Sequence, residues 1–216
     1  LLARDRTGYG NLSELVTTAR MRAGKGDYRL LRDDLAAGVE RCVALLVPDP
    51  QSPLEETVEQ ARFLAERFER HAWIAVELLA RGYDAALLER LRAVSRQTGV
   101  PLVAAGDVHF HLRSRKSLQD TLTAIRLNRP VRELGFALAS NAEQHLRARV
   151  RLAQLYPRSL LEETLEVASH CHFSLDELRY EYPEEIVPAG HTPASWLREL
   201  TFRGVPVRYP DGLPPS

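Results

Sequence analysis

Short apolar runs alternate with longer amphipathic stretches through the first half of the chain. CVALLVP (42–48), WIAVELL (73–79) and PLVAAG (101–106) are too short for buried helices and are bounded by proline, glycine or charged residues, so each is predicted to be a buried strand. Between them Leu54, Val58, Ala61, Phe63, Leu64 and Phe68 recur at helical spacing over about 54–70, and DAALLERLRAVSRQTG predicts a second helix over 84–99. An earlier helix is expected over 8–23, with Leu12, Leu15, Val16 and Ala19 as its stripe, Asn11 or Ser13 as its cap and GKG as its stop. Strand and helix alternating at this pace imply βαβ units, and hence a parallel sheet or a βα barrel.

After residue 112 the strands disappear. SLQDTLTAIRL (117–127), NAEQHLRARV (141–150) and PRSLLEETLEVASHC (157–171) all have helical periodicity, and Asn141 with Gln144 outlines a capping box. An extended segment interrupted by Pro183, Pro188 and Pro193 then leads to a short helix near 194–203. The expected class is therefore α/β: a parallel sheet or βα barrel over 1–112 followed by a mainly helical segment over 113–216, with the boundary near 112–116.

Composition narrows the functional classes. Lys and Arg total 29 and Asp and Glu total 29, so no global field draws the chain to nucleic acid or to an anionic membrane, and such contacts have to be local. Cys42 and Cys171 form no CxxC pair, which suits a reducing cytoplasm. VALLV and IAVELLA are far too short to span a bilayer. The chain opens on Leu1 and has a single methionine, Met21, within a helical pattern; it reads as a piece of a longer protein.

Candidate chemistry gathers in GDVHFHLRSRK (106–116), just past the carboxyl end of the third strand, where α/β folds place their sites. Asp107 and His109 are two apart, so on an extended chain they point the same way; a carboxylate beside an imidazole suits zinc or manganese. The same spacing also suits a capping aspartate and a surface histidine. His111 continues the face. Cys42, at the start of CVALLVP, reads as a small buried hydrophobe unless a partner joins it. Glu77 either faces a barrel interior or ends its strand in water, and the second is expected; His71 is expected to face solvent. Arg113, Arg115 and Lys116, with Arg126 and Arg129 downstream, suit phosphate or a solvated helix start. SHCHF (169–173) ends a helix, where histidine is favoured by the macrodipole. Gly8, Gly10, Gly24 and Gly26 lack the strand and the Lys-Ser/Thr ending of a phosphate loop.

RTGYGNLSELVTTAR, PLVAAGDVHFHLRSRKSLQDTLTAIRLNRPV, NAEQHLRARVRLAQLYP and FSLDELRYEYPEEIVPAGHTPASWLRELTFRG together resemble the bacterial DNA polymerase III alpha family, in particular its error-prone, damage-inducible branch. The resemblance implies the later part of a PHP domain, a distorted βα barrel, followed by the entry into the polymerase region. It implies that Asp107 and His109 are the last ligand motif of a multinuclear zinc or manganese centre. It also puts Cys42 in ERCVALLVP at a position where many members carry a ligand cysteine. The family's opening His-x-His ligands have no counterpart here, nor has an Asp-x-Asp polymerase motif with its magnesium, so the piece itself is expected to be inactive. For the parent protein the resemblance implies translesion DNA synthesis and repair on a primer-template with deoxynucleotides, alongside a sliding clamp and mutagenesis accessory proteins, in the cytoplasm and without a membrane. Two other readings stay open: a metal-dependent phosphoesterase of the PHP type, and a non-catalytic scaffold that binds partner proteins.

Overall fold

A computed structural model describes residues 1–36, 39–179 and 186–212. They divide into two compact units, Leu1–Glu177 and Leu178–Ser216. The first is a mixed α/β unit around an open four-stranded sheet in the order β1-β2-β3-β4.

The sheet comprises β1 (Leu2–Ala3), β2 (Cys42–Leu46), β3 (Ala72–Glu77) and β4 (Leu102–Ala105). Strands β2, β3 and β4 are parallel, with Leu46 level with Ile74 and Ile74 level with Leu102; β1 pairs antiparallel to β2 through Leu2 opposite Val43 and Ala3 opposite Cys42. Alternation along the strands sorts their side chains between two cores. Ala44, Ile74, Val76 and Leu102 meet Val58, Ala61, Leu87, Leu91 and Val94 from α2 (Leu54–Phe68) and α3 (Asp84–Thr98). Val43, Trp73 and Val103 meet Val167 of α6 (Arg158–Ser169) on the other face. The expected strands and crossover helices therefore form where the apolar pattern places them, as a parallel sheet that is open.

Helix α1 (Arg6–Met21) begins two residues before the expected start, because Asp5 caps it: its side chain accepts from the Gly8 N–H at 2.9 Å. Asn11 and Ser13, the expected caps, lie inside the helix, where Asn11 donates to the Glu40 carbonyl and Ser13 to that of Tyr9. The first turn of α1 presses so closely on the start of β2 that a Cβ at Gly8 would come 2.0 Å from the Arg41 carbonyl oxygen. Helix α3 stops at Gly99, whose φ of 73° lets its N–H return to the Ser95 carbonyl.

Beyond β4, α4 (Lys116–Leu127) follows the pattern. The predicted helix over 141–150 does not form; α5 spans only Arg149–Leu155. Asn141 turns its Oδ1 onto the Glu143 N–H instead of capping a helix, and His145 forms a bridge with Phe110. The compact unit extends to Glu177, past the expected boundary at 112–116, because α6 covers β4 and Tyr156 and Leu160 join the main core. Contacts therefore do not thin where the strands run out.

In the second unit α7 (Pro193–Arg208) is longer than the helix expected over 194–203. Thr192 and Ser195 cap its start reciprocally, and the helix runs through Pro206, which has no N–H to give. Pro183 and most of the RYEYPEE stretch, 180–185, lie outside the described residues.

The two glycines in the first turns of α1 separate close packing from helix propensity. Gly8→Ala is expected to destabilise the chain by about 1–3 kcal/mol through overpacking against Arg41. Gly10, with nothing within 4 Å of its Cβ position, is expected to gain about 0.5–1 kcal/mol on change to alanine. Urea unfolding of the two variants checks the opposite signs.

Candidate functional site

At the carboxyl ends of β3 and β4 the backbone changes direction abruptly. Strand β4 stops at Ala105, and Asp107 sits at φ 42°, a left-handed conformation that aspartate tolerates better than most residues. Asp107 and His109 thus do not lie on a strand, as their spacing had suggested; the turn brings them together. His109 Nε2 is 3.0 Å from Asp107 Oδ1. Gln119 Nε2 lies 3.4 Å from His109 Nδ1, and Gln144 Nε2 donates to Asp107 Oδ2. The Gln144 backbone carbonyl takes the N–H groups of His109 (3.0 Å) and Phe110 (3.3 Å), and Leu146 N–H returns to the Phe110 carbonyl at 3.2 Å.

The segment 141–147 is itself held to the strand ends. Asn141 donates to the Leu79 carbonyl at 2.7 Å, and Arg147, its side chain 2% exposed, donates to the Leu78 carbonyl at 2.9 Å. The Tyr156 hydroxyl accepts from the Leu78 N–H (3.0 Å) and donates to the Ala105 carbonyl (2.6 Å), tying β3 to β4 just past the ladder. Buried Glu143 pairs with Arg147 on one side and Arg113 on the other. Of the cations expected to suit phosphate, Arg113 is therefore spent on Glu143, and Lys116 on Asp120 at 2.7 Å.

Glu77 ends β3 level with Ala105, half-buried. Burial raises its carboxyl above the usual glutamate range, and Asp107 adds to the rise while Arg81 and His109 oppose it. Expected to end its strand in water, it is instead half-buried and close enough to Asp107 and His109 to feel their charges. His111 is exposed and makes no hydrogen bond or ion pair among the described residues.

Cys42 is not brought to this corner. It begins β2, at the amino end of a parallel sheet whose carboxyl end carries Asp107, and the register separates the two by more than about 20 Å at the usual rise per residue. The thiol is buried, lies 3.4 Å from the Gly8 carbonyl, and has its pKa raised chiefly by that burial, which disfavours the thiolate a metal needs. His170 of SHCHF follows the last turn of α6, 3.2 Å from Glu166, with its ring against His71 and Trp73.

A carboxylate and an imidazole in contact fit one corner of a divalent-ion site. They do not make a whole one: among the described residues no three His, Cys, Asp or Glu side chains are grouped to hold a metal. Gln144, expected only in a capping box, and Tyr156, which no pattern singled out, take their roles from contacts with residues far away in the chain.

No family model matches the chain. Curated relatives match it along its length. Error-prone DNA polymerase of Azoarcus sp. is 53% identical over 221 residues, which covers 100% of this chain and 20% of the relative. Those of Methylococcus capsulatus and Dechloromonas aromatica are 52% and 51% identical over 99% and 100% of this chain, and 20% and 21% of their own lengths. The chain therefore spans about one fifth of the relatives it matches.

The network around Glu143 makes its own prediction. Glu143→Ala strands the buried Arg147 guanidinium and is expected to cost about 3–5 kcal/mol. Arg113→Ala, whose side chain is 66% exposed, is expected to cost less than about 1 kcal/mol. Denaturant midpoints of the two variants check the asymmetry.

Proposed function

Because the chain is homologous over its whole length to one fifth of proteins named error-prone DNA polymerase, we propose that it is a segment of such a polymerase, comprising the later part of a PHP-type barrel and the entry into the polymerase region. The observation that carries this reading is identity near one half, sustained over 99–100% of the chain. In the parent protein the reaction is template-directed addition of deoxynucleotides to a primer, including across damaged bases, in the service of DNA repair. Its carboxylates and magnesium lie outside these 216 residues, which contain no Asp-x-Asp pair. A sliding clamp and mutagenesis accessory proteins are proposed partners on the resemblance alone. No helix among the described residues is long and apolar enough to cross a membrane.

Within that reading, Asp107 and His109 supply one corner of a zinc or manganese site whose other ligands come from elsewhere in the parent polypeptide. The support is their position at the strand ends, their mutual contact at 3.0 Å and the amides that hold them. A bound ion would supply Lewis-acid chemistry there. Asp107 and His109 would hold it, while Gln144 and Gln119 orient them. A free-standing phosphoesterase is disfavoured by the two-ligand corner and by the distance of Cys42 from it.

The full-length polypeptide carrying this segment is expected to extend a primer past an abasic site with magnesium; failure to incorporate any template-directed deoxynucleotide on damaged or intact template overturns the polymerase reading. In the same polypeptide, Asp107→Ala with His109→Ala is expected to weaken zinc or manganese binding by about 10-fold or more, measured by metal titration. Unchanged affinity would remove the corner from the ligand set.

A further inference from the structure

The opposite end of the sheet carries a cavity that none of this uses. It has a volume of about 300 Å³ and opens where β1 ends and β2 and β3 begin. Arg4, Arg67 and His71 form its half-buried inner wall with Cys42 and Phe68, while Glu40, Arg41 and Glu69 stand exposed at the rim. Both acids thus stand at the rim, beside Arg41.

The inner cations are short of partners. Nε of Arg4 and Nε of Arg67 are both closed off from solvent and have no hydrogen-bond partner. The Arg67 guanidinium lies over the Phe63 ring, 3.8 Å from its centroid, and spends Nη1 on the Phe63 carbonyl (3.2 Å) and on Glu66 (3.1 Å), leaving Nε unused. The Arg4 guanidinium makes no hydrogen bond or ion pair among the described residues, and neither Glu40 nor Glu69 pairs with either arginine. Both guanidinia line the cavity and keep donors without a protein partner, so their positive charge is incompletely matched there and favours an anion. Burial, helped by Arg4 and His170, holds His71 below the usual histidine range, so at neutral pH it offers an imidazole and not another cation.

The rim is built on unusual backbone. Arg41 and Glu69 have φ of 59° and 46°, in a region that non-glycine residues seldom occupy. Two such residues at one opening are held there by the surrounding structure: the Arg4 N–H bonds the Arg41 carbonyl at 2.9 Å, against which Gly8 is also pressed. Guanidinium forks match tetrahedral oxyanions in shape as well as charge, and the volume is ample for a phosphate group.

We propose that the cavity at the amino ends of β2 and β3 is an anion site for a phosphate group, with Arg4 and Arg67 as its guanidinium donors. The site is separate from the Asp107–His109 corner and does not depend on the polymerase reading.

Calorimetric titration of the chain with inorganic phosphate, at constant ionic strength against chloride, tests it. Saturable 1:1 binding is expected, weakened about 10-fold or more by Arg4→Gln, which removes a charged hydrogen-bond donor. Arg4→Lys, which keeps the charge and loses the fork, is expected to retain part of the affinity, while Arg126→Gln, remote from the cavity in sequence and on α4, is expected to leave it unchanged. Far-UV circular dichroism of each variant identifies any that fails to fold, and the lysine variant then carries the comparison. No saturable binding, or binding equal in the folded arginine variants, means an adventitious ion only and overturns the proposal.

Discussion

Strand β3 is buried on both faces and paired along both edges, and the rest of the first unit follows from that constraint. Ala72 to Val76 are each no more than 3% exposed, so their backbone groups have no water and must find partners within the protein. Parallel β2 and β4 supply them along the ladder; the crossover helices α2 and α3 cover one face, and α6, which follows the last strand, covers the other. Where the ladder ends the requirement does not. Leu78 and Leu79 are still buried; the Leu78 N–H goes to the Tyr156 hydroxyl, and the Leu78 and Leu79 carbonyls take the Arg147 guanidinium and the Asn141 amide.

That demand explains why 141–147 is not a helix. Its side chains are committed to the strand ends, and its backbone is committed to Phe110 and His109. A helix there would satisfy its own carbonyls and leave those of Leu78 and Leu79, just past β3, unpaired in the interior. The same segment then orients Asp107 through Gln144, so the closure of a buried strand and the geometry of the candidate corner are one arrangement. Glu143 between Arg113 and Arg147 locks it, with two guanidinia sharing one buried carboxylate.

The two ends of the sheet differ in how their charges are matched. At the carboxyl end Asp107 and Glu143 are matched in full: Asp107 has His109 and Gln144, and Glu143 has two arginines. At the amino end Arg4 has none, and Arg67 is only partly satisfied. Full matching makes a rigid corner that can hold a small ion in fixed geometry, whereas incomplete matching leaves a site whose stability rises when a ligand arrives.

Much of the fold was legible in the chain. The runs at 42–48, 73–79 and 101–106 and the stripes between them place β2, α2, β3, α3 and β4 within a few residues, because burial of a strand or a helix face is written as a local period of apolar positions. The Asp107–His109 pairing was legible too, through its place just after a strand, although the turn and not strand alternation joins them. Residues 141–147 were not legible: Asn141 and Gln144 have helical spacing, and only the buried carbonyls more than 60 positions earlier override it. Nor was the separation of Cys42 from the corner, which depends on strand direction and register, or the meeting of Arg4 and the partly satisfied Arg67 at one cavity. The sequence by itself determined which segments are strands and helices and where the chemistry-bearing groups lie along them. Tertiary structure alone decided which of those groups meet, because backbone satisfaction and charge pairing act between residues that no local pattern connects.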